Sequence, residues 1–242
     1  MKSGVAVFAP LTAAKQSDLE FIFEVNVFGV FRVTQAFAPM VIESKGRIVN
    51  VSSISGIYSA PTAGMYSASK HALEAMTDSL AMELRELGVH VTAINPGAFA
   101  SAGFAKDCER VQGDAEADWG HLEDIRQWRI DRCRKGLESG YKSAAPDPAA
   151  VAVTIEQALF EERPRARYLV ASQAAAGETI AWAIREMLVL NTGHEQSYRR
   201  DEIVQFIDLI WPYMSGEKSW SSLEEEWEVH DSWIERRLPD MD

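Results

Sequence analysis

The chain has 242 residues, enough for one large α/β domain with or without an appendage, and its 47% apolar content supports a buried core. A formal net charge of −12 argues against nucleic acid and anionic membrane surfaces as partners. The two cysteines, Cys108 and Cys133, fit no metal spacing and no disulfide framework, so free thiols in a reducing cytosol are expected. No leader pattern and no run of about 18 apolar residues stands out, and a cytoplasmic protein without a membrane span is the expectation.

Residues 17–42 read as a helix, with Ser17 and Glu20 as a capping box and Phe21, Val25, Phe28, Phe31 and Val33 as an apolar stripe. Ile48-Val49-Asn50-Val51-Ser52 has little alternation, the pattern of a strand buried on both faces in a parallel sheet. A second helix is predicted over about 65–87, with Leu73, Met76, Leu80, Leu84 and Leu87 on one side and Gly88 as its stop. Val89–Asn95 is the next strand, closed by Pro96-Gly97. Residues 98–147 are polar and break the rhythm, with Trp119 and Trp128 set among charges. A helix near 148–162, a strand at Arg167–Ala171 and helices at 174–190 and 200–211 follow. Helix and strand alternate as in a doubly wound α/β sheet. Beyond Gly216, nine acids against three bases accompany Trp220, Trp227 and Trp233. That spacing suits one face of an amphipathic helix, docked on the domain or offered to a partner. The five histidines are scattered, and no metal site is expected.

The residues that carry chemistry are Tyr66 and Lys70, four apart on a predicted helix and hence on one face, with Ser53 at the end of the preceding strand. A free phenol, with a pKa near ~10, is a poor acid or base at neutral pH. A neighbouring ammonium at Lys70 is expected to lower that value. Tyr66 would then pass a proton to or from a carbonyl or alcohol oxygen, and Ser53 would hold that oxygen.

Tyr66-x-x-x-Lys70, Ser53 in a strand-end Val-Ser-Ser, Asn26 in Glu24-Val25-Asn26-Val27-Phe28-Gly29, and Asn95-Pro96-Gly97 after the next strand resemble the short-chain dehydrogenase/reductases. Asn26, Ser53, Tyr66 and Lys70 match that family's catalytic tetrad in type, order and spacing. The stretches Ser67–Glu74, Pro164–Tyr168 and Asn191-x-x-His194 look most like the hydroxysteroid and retinol dehydrogenase branch. The resemblance covers roughly residues 4–210. It implies the C-terminal part of a Rossmann-like doubly wound parallel sheet, with about three core strands and flanking helices, and the acidic helical tail lies outside it. The chain's divisions would be 1–212, with 98–147 as a substrate lid, and 213–242. It also implies NAD or NADP as cofactor, touched by Gly4, Tyr66, Lys70, Pro96 and Gly97. Lys70 would grip the nicotinamide ribose, and Asn26 would hold a water linking the lysine to solvent. A small carbonyl or alcohol substrate and a homodimer through helices 17–42 and 65–87 complete the implied picture.

The resemblance also implies a departure. The family opens with a strand, a Thr-Gly-x-x-x-Gly-x-Gly turn and a helix, and Met1-Lys2-Ser3-Gly4 falls where its later Asn-Asn-Ala-Gly would sit. On this reading the N-terminal cofactor-binding half, about 90 residues at ~30 per βα unit, is absent and cofactor binding is weak or lost. Enzymatic activity is then open. An NAD(P)-dependent oxidoreductase, a cofactor-independent isomerase, lyase or cyclase using the same Tyr-Lys-Ser set, and a non-catalytic protein that binds through its tail all remain.

Overall fold

The computed structural model describes residues 4–99, 120–138, 147–191, 197 and 199–214. Contacts divide the chain into two compact units, Met1–Arg185 and Glu186–Asp242. Most of the expected tail, Trp220, Trp227 and Trp233 included, lies outside the described residues, as do Cys108, Trp119 and His194.

The first unit is built on three parallel strands, β1 (Arg47–Val51), β2 (His90–Pro96) and β3 (Arg167–Val170), in the order β1-β2-β3. Ile48 pairs with Val91 and Ile94 with Tyr168. Parallel neighbours require helical crossovers, and the chain supplies them. α3 (Gly64–Arg85) links β1 to β2, and α5 (Ala149–Phe160) precedes β3. Successive strand residues face opposite sides, so β2 serves two layers. Val91 packs with Leu84 and Val89 beside Ile48 and Leu80, while Ile94 packs with Ala158 and Tyr168 beside Val49 and Ile155. α3 ends where Gly88, at φ 76°, takes the left-handed conformation, and Val89 N–H reaches back to the Leu84 carbonyl at 3.2 Å. α4 (Glu123–Glu138) lies within the polar excursion. α6 (Gln173–Leu190) runs across the boundary between the units, and α7 (Arg200–Met214) belongs to the second.

The first helix departs from expectation in four ways. It runs unbroken as α1 (Gln16–Phe23), a wider π turn at Glu24–Phe28, and α2 (Gly29–Glu43). Its N-cap is Lys15, without a side-chain cap bond; Ser17 does not cap, and Glu20 instead accepts from the Gln16 amide at 2.7 Å. The predicted stripe is largely solvent-facing, and the buried face is Ile22, Asn26 and Val27. The π turn inserts an extra residue and rotates the face that follows it, which a 3.6-residue count cannot anticipate. Finally, Gln16–Glu43 is long and apolar enough to cross a membrane by length and composition alone, its richest 18-residue window having a mean hydropathy of 1.4. The expectation of no such segment considered unbroken apolar runs, and Asn26, Thr34 and Gln35 interrupt this one.

Residues 4–10 form no strand. Val7 is buried with Ile22 and Met65, and Ala9 N–H donates to the Thr62 carbonyl at 2.9 Å. The cysteine expectation is also overturned. Cys133 is buried and disulfide-bonded, and no free cysteine is present among the described residues. Spacing alone gave no sign of this, because one pair of cysteines fits no recognisable framework.

Candidate active site

Ser53 follows β1 with an extended backbone and caps the short 3-10 turn Ile54–Gly56, its Oγ accepting from the Ser55 N–H at 3.1 Å. That capping role aims the hydroxyl at the C-terminal edge of the sheet, where ligands of open α/β sheets bind. There it lies close enough to the Tyr66 phenol to lower the phenol's pKa, and it donates a long 3.5 Å bond to the Pro96 carbonyl. Lys70, one turn after Tyr66, is 1% exposed. Its Nζ lies 5.8 Å from the Tyr66 ring centroid and donates to the Val51 carbonyl at 3.0 Å. The structure therefore brings Ser53, Tyr66 and Lys70 together.

The electrostatics differ from expectation. Burial raises the Tyr66 pKa, opposed only by the Ser53 hydrogen bond. The expected lowering by Lys70 is not among the causes of the shift. Burial in turn lowers Lys70 to about 8, against the attraction of Glu74. Tyr66 is thus a neutral phenol at physiological pH, a proton donor in its resting state, and Lys70 is poised to titrate.

Asn26 is wholly buried in the π turn. Its Oδ1 accepts from Val5 N–H and its Nδ2 donates to the Val5 carbonyl, both at 2.9 Å, and to Ser69 Oγ at 3.0 Å. The carboxamide ties the N-terminal segment to α3. Gly4 lies against the lysine, since a Cβ there would stand 3.4 Å from Lys70 Nζ. Pro96 closes β2. Gly97 has a packing reason to be glycine: a Cβ would come within 2.8 Å of the Ala171 Cβ, and its N–H already donates to the Val170 carbonyl.

Three neighbours were not singled out from the sequence. Phe8 meets the Tyr66 ring at 5.9 Å, and the Arg129 guanidinium of α4 stacks on Phe8 at 4.3 Å. Glu74, next to Lys70, is buried. Of these, only Glu74 had a readable signal, its four-residue spacing from Lys70 on one helical face.

Comparison with known proteins fits this geometry. Residues 2–111 match the family model described as short chain dehydrogenase. That stretch is similar to a short-chain dehydrogenase domain. It is 30% identical over 172 residues to mouse mitochondrial D-beta-hydroxybutyrate dehydrogenase (69% of this chain, 50% of the relative). It is 34% identical over 175 residues to bovine Dehydrogenase/reductase SDR family member 9 (70% of this chain, 54% of the relative). Among solved structures, a short-chain dehydrogenase/reductase from Burkholderia phymatum in complex with NAD is 27% identical and superposes with a TM-score of 0.59, covering 81% of this chain and 68% of that one. The chain spans about half the length of the curated relatives it matches.

These matches correct the expectation of an absent half. The family domain occupies the N-terminal region of this chain from residue 2 onward, so the family's domain is not missing from that region. Doubt about enzymatic character, and the expectation of weak cofactor binding, rested on that premise and lose it. One of these relatives is named a D-beta-hydroxybutyrate dehydrogenase, and the Burkholderia phymatum structure holds NAD.

Proposed function

We propose that the protein is an NAD(P)-dependent oxidoreductase that interconverts a small alcohol and its ketone at Tyr66. The observation that carries this reading is the contact of the Ser53 hydroxyl with the Tyr66 phenol, beside a buried Lys70 ammonium. Hydroxyl, phenol and ammonium make a donor set for one carbonyl oxygen and for the hydroxyls of a ribose, so the residues present fit a nicotinamide nucleoside. Tyr66 and Lys70 would hold its ribose, with Gly4, Pro96 and Gly97 along its path. The bound nucleotide would supply or accept the hydride.

The chain's own residues manage the proton. In ketone reduction, Ser53 hydrogen-bonds the substrate oxygen and holds the carbonyl in line. Tyr66, kept neutral by burial, donates its proton as negative charge develops there. Asn26 acts by fixing Val5 and Ser69 around the lysine. The contacts of Phe8 with Tyr66 and with Arg129 of α4 support a lid role for α4.

The exposed apolar face of the first helix supports a homodimer. Phe21, Phe28, Phe31, Phe37 and Met40 are exposed along the first helix and Met82 is exposed on α3, and large apolar exposure of this kind supports an interaction site. The test of function is direct. The full chain is mixed with NADH or NADPH and a panel of small ketones. Stoichiometric cofactor oxidation and alcohol formation are expected. Carbonyl turnover at equal rate without nucleotide would replace this reading with an isomerase or lyase.

A further inference from the structure

Beside the tyrosine the structure holds a dry carboxylate that this mechanism leaves unused. Glu74 lies one turn beyond Lys70 on α3 and is 7% exposed. A buried carboxylate is tolerated only with its oxygens occupied, and both are. Oε1 accepts from Asn95 Nδ2 at 2.6 Å, and Oε2 accepts from Arg167 Nε at 3.0 Å. The other arm of Arg167 chelates Asp78 at 2.8 Å to each oxygen. The same Asn95 Nδ2 donates its second hydrogen to the Ser53 carbonyl at 3.1 Å. A continuous path thus runs from a β3 cation through an α3 carboxylate and a β2 amide to the Ser53 peptide.

Two further observations make this path specific. Reversing the Asn95 amide would aim its oxygen at two other acceptors, so the orientation stays fixed even though Oδ1 has no partner among the described residues. The turn after Ser53 also packs directly on the carboxylate arm: a Cβ at Gly56 would come within 2.9 Å of Glu74 Cγ. Glu74 therefore bears on the Ser53 loop twice, by hydrogen bond and by contact.

We propose that Glu74 is a positioning residue which, through Asn95, fixes the Ser53 peptide and thereby aims the hydroxyl that engages Tyr66. It touches no reacting atom. The Arg167 guanidinium holds the carboxylate in place, and charge-assisted bonds at both oxygens make the placement stiff. The proposal rests on the Tyr66-centred site described above.

The test uses the full chain labelled at the tyrosine ring carbons. The Tyr66 signal is assigned by its loss in Tyr66→Phe and compared at neutral pH in wild type, Glu74→Gln, Asn95→Ala and the double variant. Each single variant is expected to shift the Tyr66 signal in the same sense, and the double variant to shift it no further than Asn95→Ala alone. In parallel, kcat for ketone reduction is expected to fall about tenfold or more while KM for the nucleotide stays within about twofold. Asn95→Ala leaves the Glu74–Arg167 pair in place and keeps the test open if Glu74→Gln does not fold. An unmoved Tyr66 signal in a folded single variant, or additive shifts in the double variant, would overturn the proposal. Absence of hydride transfer in the wild type would count against the oxidoreductase reading alone, because the spectrum still decides the positioning claim.

Discussion

Asn26 and Val5 hold each other by two hydrogen bonds of 2.9 Å, side-chain carbonyl to backbone N–H and side-chain amide to backbone carbonyl. A π turn in the first helix and a segment without regular structure are thereby joined as two strands of a sheet would be. The clamp seats Val7 against Ile22 and Met65 and brings Gly4 to Lys70.

Breaking this clamp is expected to cost stability. Asn26→Ala orphans both Val5 groups, and at ~1–3 kcal/mol for each polar group left unpaired the loss should be about 2–6 kcal/mol. Asn26→Asp should do no better, since a carboxylate cannot donate to the Val5 carbonyl and adds a buried charge. Urea denaturation of the three proteins measures the difference.

Lys70 sets a pH dependence whose sign is fixed. Its folded pKa, about 8, lies below the ordinary 10.5, so between these values the unfolded chain binds the extra proton and stability rises with pH. The destabilisation from burying the ammonium is fully present below about 8 and is relieved toward 10.5. At ~1.4 kcal/mol per pKa unit it amounts to roughly 3 kcal/mol. Lys70→Met should remove that rise in a series of denaturation curves. Ketone reduction should weaken over the same rise through about 8, as the ammonium proposed to hold the nucleotide ribose is lost.

Much of this was legible from the chain. The strands at Arg47–Val51 and His90–Pro96 announce themselves because buried parallel strands are written as apolar runs, and Gly88 marks the end of α3 because only a left-handed turn lets the chain reverse there. Ser53, Tyr66 and Lys70 could be grouped because strand end and helix start lie close in sequence. The Arg167–Glu74 pair could not, because 93 residues separate its members and only the strand order brings them together. The direction of the Tyr66 shift was also hidden. Sequence places a cation one turn away, but burial decides the outcome.

Gly97 offers a packing test that is independent of catalysis. Gly97→Ala forces a Cβ to within 2.8 Å of Ala171 Cβ and should cost about 1–3 kcal/mol, as overpacking does. Ala171→Gly in the same chain removes the opposing methyl and should restore most of the loss in thermal unfolding. Failure of that rescue would mean that the glycine is needed for something other than space.

The apolar face of the first helix makes a prediction about assembly. Phe37 is 54% and Met40 64% exposed, and neither contributes to the buried core. Phe37→Glu with Met40→Glu should turn a dimer into a monomer in sedimentation while leaving the unfolding midpoint of the monomer little changed. A wild-type chain that sediments as a monomer, or that partitions onto lipid vesicles through this helix, would count against the dimer.

The most direct measurement is the rate of nucleotide-dependent ketone reduction by wild type and Tyr66→Phe, with both shown to be folded by circular dichroism. Loss of the phenol proton should lower the rate by roughly 10²–10⁴-fold, the span a positioned general acid supplies. Equal rates in the two proteins would contradict a proton path through Tyr66.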